Sequence, residues 1–87
     1  MKTFKDLQFK PHSVDKKCLH AVIEFENGYG CSVVFGDRFY SNGIDTYEVA
    51  VLYAGAISYN SGITDDVIGY VNDEQVTEIM KQIQELH

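Results

Sequence analysis

The stretch "LHAVIEFENGYGCSVVFG", Leu19 to Gly36, leaves few folds open to this chain. Two runs that alternate in hydropathy flank Glu26-Asn27-Gly28, and a glycine in the third loop position supplies the left-handed residue that closes a type I turn with a bulge. Such a loop fixes the register, because a slip of one residue would turn every side chain to the other face. Phe25 then lies opposite Tyr29, Ile23 opposite Cys31, Ala21 opposite Val33 and Leu19 opposite Phe35, an unbroken apolar face. His20, Val22, Glu24, Ser32 and Val34 form the second face, together with Cys18. The two cysteines thus fall on opposite sides of the sheet, and free thiols are expected.

"YEVAVLYAGAISYN" repeats the device, with Gly55 in the bulge position. This predicts Val51 opposite Ile57 and Val49 opposite Tyr59, leaving Glu48, Ala50, Leu52, Ala56 and Ser58 on the second face. The connection "GDRFYSNGIDT" between the hairpins is long and polar. Val76, Ile79, Met80, Ile83 and Leu86 recur at helical spacing, and Asn72 with Gln75 three residues on forms a capping box. At the other end Phe4, Leu7 and Phe9 precede Pro11, which suits an edge strand or an arm lying on the second face.

At 87 residues there is room for one domain with one sheet and one helix. The hydrophobic fraction of 45% is that of a folded chain. The fold class is therefore α+β: a four-stranded antiparallel meander packed by one C-terminal helix, with the N-terminal segment as a fifth strand or an arm. Residues 1–17 are the basic arm or edge strand, 18–60 the two hairpins, 61–71 a turn or short helical segment, and 72–87 the helix.

Charge narrows the classes of partner. Residues 1–17 hold five Lys and two Asp, while residues 18–87 hold two basic and eleven acidic residues, a net of -9. An acidic body repels phosphate backbones, so a partner with a basic surface is favoured over direct nucleic-acid binding. No apolar run follows Met1 and none reaches the length of a membrane span, so neither a signal peptide nor a transmembrane helix is expected, and the cytoplasm is the expected compartment.

Asp65, Asp66, Asp73 and Glu74 crowd into ten residues. Thr64 and Asn72 stand before the two pairs as N-caps, where acidic residues oppose the positive end of a helix. Capping explains all four, and "TDDVIGYVNDE" lacks the alternating oxygen ligands and central glycine of a calcium loop. The four are expected to form a negative patch for a basic partner. Arg38, Phe39 and Tyr40 are candidate loop contacts, and Val22, Val34 and Leu52 a candidate dimer or partner face, since one helix covers one face only; a homodimer is the expected state of so small a sheet.

No catalytic constellation is evident. Cys18-Leu19-His20 has no second ligand pair for zinc, Cys31 is on the packed face, and the glycines of "NGYGCSVVFG" lack phosphate-binding spacing. A non-enzymatic role without metal or cofactor is expected. "FENGYGCSVVFG", "TYEVAVLYAGAISY" and "ITDDVIGYVNDEQVTEIMKQIQEL" together resemble a family of small uncharacterised proteins of tailed bacteriophages and prophages, over about residues 20–86 and most strongly over Tyr47–Leu52 and Ile63–Tyr70. The resemblance implies a phage origin and action in the bacterial cytoplasm, and carries no site residues with it. It leaves three expectations: a modulator of a host defence or replication enzyme, a binder of a small nucleotide or signalling molecule at a dimer seam, or a minor virion component.

Overall fold

A computed structural model describes residues 1–14, 16–37, 39–58 and 67–86. The chain runs through a 3₁₀ turn (Phe4–Asp6), β1 (Lys10–Pro11), β2 (Leu19–Glu24), β3 (Tyr29–Phe35), β4 (Tyr47–Tyr53), β5 (Ala56–Ile57), β6 (Val67–Val71) and α1 (Asp73–Gln84). All pairings are antiparallel in the order β1-β2-β3-β4-β5, and β6 joins the β4 edge that β5 also uses. This is the α+β architecture of a meander under one helix, with the N-terminal strand present and one strand more than the sequence indicates.

The first hairpin forms as its loop dictates. Gly28 stands at φ 88, Gly28 N–H donates to Phe25 O at 3.2 Å, and Phe25 N–H donates to Tyr29 O at 2.7 Å. Leu19 faces Phe35, Ala21 faces Val33 and Ile23 faces Cys31. Asn27 also ties the sheet to the helix, because its side-chain amide donates to Ile83 O (2.8 Å) and Leu86 O (3.0 Å). The carbonyls left over at the end of α1 are thereby satisfied by the hairpin turn.

The second hairpin departs from its predicted register by one residue. Leu52 pairs with Ile57 and Tyr53 with Ala56, so Val51 is not opposite Ile57. The loop is a two-residue turn with Ala54 at φ 53 and Gly55 at φ 86, both left-handed. That is the type I′ form, whose twist matches the flanking strands. Alanine at the first left-handed position is disfavoured, which is why sequence alone favours the three-residue loop. The Ala54 N–H donates to Gly28 O at 3.1 Å, so contact between the two hairpin loops holds the turn.

Val49 pairs with Ile68, and Tyr59, its expected partner, lies outside the described residues. On this edge Ser58 N–H donates to Val51 O at 2.8 Å, and Val67 lies opposite Ala50. Val67–Val71 is therefore a strand, where a turn or short helical segment is expected over 61–71. The open edge of β4 offers backbone pairing that outweighs any helical tendency, and Gly69 weakens that tendency further. Between Ile68 and Val71 the strand carries one extra residue relative to β4 and bulges, with Tyr70 at φ 56.

The core lies between the odd face of the sheet and α1. Ala21, Cys31, Val33, Val49 and Val51 meet Val76, Ile79, Met80 and Ile83. Asn72 caps the helix as predicted, accepting from Gln75 N–H at 2.8 Å while Gln75 Oε1 accepts from Asn72 N–H at 2.8 Å. The N-terminal arm packs on this face and not on the second one. Leu7 enters the core, Phe4 and Phe9 ring Tyr47 at 5.1 and 5.7 Å, and Phe4 N–H donates to Thr77 Oγ1. Aromatic burial beside the helix ends, reinforced by the Lys2–Gln84 backbone-to-amide bonds, outweighs what the mixed second face offers.

Candidate functional site

The β6 strand and α1 leave a groove between them. Ile68 and Val71 from the strand and Ile79 from the helix supply its apolar lining, and Glu74, Gln75, Glu78 and Gln82 its rim, around a volume of about 430 Å³. The bulge places Ile68 and Val71 together on the helix side, since the extra residue shifts the alternation by one between them. Capping and the helix dipole explain Asp73 and Glu74 in the first turn of α1. They do not explain Glu78. Glu74 and Glu78 stand four apart on one helix face, a like-charge spacing that costs a few tenths of a kcal/mol, roughly 0.2–0.5.

Asp73 and Glu74 are both exposed at the helix start, and the Asp73 carboxylate accepts from Glu74 N–H at 2.9 Å. Burial, with the charges of Asp73 and Asp45 added, pushes the Tyr47 phenol upward. Asp65 and Asp66, with the cap expected at Thr64, lie outside the described residues.

The loop residues divide. Arg38 is outside the described residues, Phe39 is half-buried with its ring 4.9 Å from His12, and Tyr40 is exposed and meets the edge of Tyr70 at 6.4 Å. Tyr40 O also accepts from Tyr70 N–H at 2.8 Å, which holds the loop on β6. Despite its polar composition, this connection is tightly organised. Asn42 Oδ1 accepts from the N–H groups of Ile44, Asp45 and Thr46, and the buried Ser41 hydroxyl accepts from Gly36 N–H and donates to Thr46 O.

Val22, Val34 and Leu52 do not make one open apolar face. Val22 is 55% exposed and Val34 half-buried, but Leu52 is only 7% exposed and cannot meet a partner as a surface residue. Its neighbour Ala50 is buried as well. Sequence alternation assigns a residue to a face; it does not say what lies over it.

Both thiols are buried and free on opposite faces, and burial pushes Cys31 up to about 12, so its thiolate is not accessible at neutral pH. Among the described residues no three His, Cys, Asp or Glu side chains converge on a common point, and no helix is long and apolar enough to cross a membrane.

On the second face His20 bonds Ser32 Oγ at 2.7 Å and lies 5.3 Å from the His12 ring. Burial first, then the charge of His12, lowers the His20 pKa below its ordinary 6.5. A base with a lowered folded-state pKa contributes stability that is whole above 6.5 and lost as pH falls from there through the folded value, because the unfolded chain binds the proton more readily. Melting temperature followed from about pH 8 to about pH 5 should therefore drop more steeply for the wild type than for His20→Gln. Equal slopes would mean that His20 does not contribute to the acid sensitivity.

The fold defines a small α+β module with exposed carboxylates along α1, beside a groove against β6 whose apolar lining is mostly buried. No protein-family model, curated protein or solved structure matches the chain.

Proposed function

We propose that this chain is a non-enzymatic interaction protein of phage type that binds and modulates a host protein through an acidic surface. One observation carries the reading: Asp73, Glu74 and Glu78 lie along one end of α1, and among the described residues none of them has a basic partner. Lys81 is the sole Lys or Arg described between Cys18 and Leu86. Uncompensated carboxylates on a net-negative body attract a cationic surface and speed its encounter, and they carry the same sign of charge as the phosphates a nucleic-acid-binding enzyme meets. A defence or replication enzyme of the bacterial host fits that chemistry.

Affinity capture from bacterial lysate tests the proposal. A basic protein retained at low ionic strength should be released as salt rises to about 0.5 M, since surface attraction is screened within a few ångströms there. Recovery of the bait alone, or retention that salt leaves untouched, sinks the reading.

A further inference from the structure

Asn27 holds the end of α1, and its neighbour in the chain is a glycine. Its side-chain amide donates to Ile83 O at 2.8 Å and to Leu86 O at 3.0 Å, while its Oδ1 accepts from Tyr29 N–H at 3.1 Å. One planar amide thus joins the first hairpin to the last turn of the helix, with its donors on the helix and its acceptor on the hairpin. Asparagine followed by glycine is also the pair most prone to lose that amide, because the glycine has no Cβ to keep its backbone nitrogen from the asparagine side chain. Gly28 is exposed, and its N–H is held by Phe25 O at 3.2 Å.

We propose that Asn27 is a deamidation site whose conversion releases the end of α1 in one direction only. The deprotonated Gly28 nitrogen attacks Asn27 Cγ, the new N–Cγ bond closes a cyclic succinimide, and the Cγ–Nδ2 bond breaks with ammonia as the leaving group. Water then opens the ring, at Cγ to leave aspartate or at the main-chain carbonyl to leave isoaspartate, with no change of oxidation state. While the last turn is docked, Ile83 O, Leu86 O and Tyr29 N–H pin the amide, so attack waits on opening of the helix end, the part of a helix that frays. Both products are acceptors only, and each sets a carboxylate against the two carbonyl oxygens that the amide had satisfied. Those carbonyls lose their donors and repel the new charge, so the docked arrangement does not re-form. Isoaspartate adds a backbone carbon to the loop and disturbs the hairpin register as well. Asn42-Gly43 offers the same chemistry without this consequence. Asn42 Oδ1 accepts from Ile44, Asp45 and Thr46 N–H and its amide donates to Asp45 Oδ1, all within its own loop.

The test ages the full chain, folded and at mildly alkaline pH, and follows conversion at Asn27 and Asn42 by peptide mapping in the mass spectrometer. It compares the wild type with Gln82→Gly, which weakens the last turn of α1 from an exposed position. Asn27 should convert in the folded wild type and about threefold faster in Gln82→Gly, with the rate at Asn42 unchanged. Asn27→Asp, which carries one of the two products from the start, should exchange the Glu85 and Leu86 amide hydrogens about fivefold faster than the wild type, with its circular dichroism spectrum unchanged. No conversion at Asn27 in the folded wild type overturns the site. A rate that Gln82→Gly leaves unchanged, or raises equally at Asn27 and Asn42, overturns control by the helix end. Exchange at Glu85 and Leu86 as slow in Asn27→Asp as in the wild type overturns the release.

Discussion

Met80→Ala is expected to lower the unfolding free energy by about 2–5 kcal/mol. Met80 heads the fully buried side chains of α1 and sits in the cluster that joins the helix to β3 and β4. Its removal takes apolar contact from the sheet and leaves a cavity that flanking residues on rigid strands fill only in part. The total stability of a domain this size is about 5–15 kcal/mol, so the variant should be marginal at room temperature. Urea denaturation measures it. Val22→Ala serves as the comparison, since a half-exposed valine on the second face should change stability by no more than about 0.5 kcal/mol. A loss below about 1 kcal/mol for Met80→Ala would mean that the helix is not held through this side chain.

Gly36→Ala should be nearly as damaging, for a different reason. Gly36 follows β3 at φ 145, a backbone region that costs other residues about 1–3 kcal/mol. An added Cβ would also run into Cys18 Sγ and lie 2.8 Å from Cys18 Cβ. Cys18 is 2% exposed and its carbonyl accepts from His12 N–H at 2.8 Å, so it cannot move aside without loosening the link between β1 and β2. Together the strain and the overpacking should cost about 2–5 kcal/mol. Adding Cys18→Ala to Gly36→Ala removes the sulfur but not the backbone strain, so it should recover part of the loss. If Cys18→Ala recovers nothing, the cost is conformational alone.

The first hairpin, the helix and its cap are legible in the sequence because each rests on local chemistry. Glu26-Asn27-Gly28 sets a register, Asn72 with Gln75 sets a helix start, and the odd positions of β2, β3 and β4 sort into one core face. What the sequence leaves unsaid depends on distant partners. The one-residue shift at Leu52–Ile57 follows from a left-handed Ala54, which is tolerated because its N–H reaches Gly28. The strand at Val67–Val71 exists because β4 has an edge to offer, and "VIGYV" alone does not advertise that. Without β6 there is no groove to draw, and neither Ile68 nor Glu78 stands out as a site residue. One signal for it is present: Glu74 and Glu78 are spaced as neighbours on a helix, and capping explains only the first. The arm's position is hidden for a similar reason. Alternation identifies a second face with apolar residues but does not show that Phe4 and Phe9 find Tyr47 on the other side.

Recognition of a basic partner at the acidic edge of α1 is tested most directly by parallel affinity capture from bacterial lysate with the wild type and with Glu74→Lys/Glu78→Lys. Both positions rim the groove and neither belongs to the core, so the variant should fold, and its circular dichroism spectrum and melting temperature confirm that before capture. The expected result is one or a few proteins with basic surfaces on the wild type and none of them on the variant. The same proteins recovered equally on both, or none on either, would contradict it.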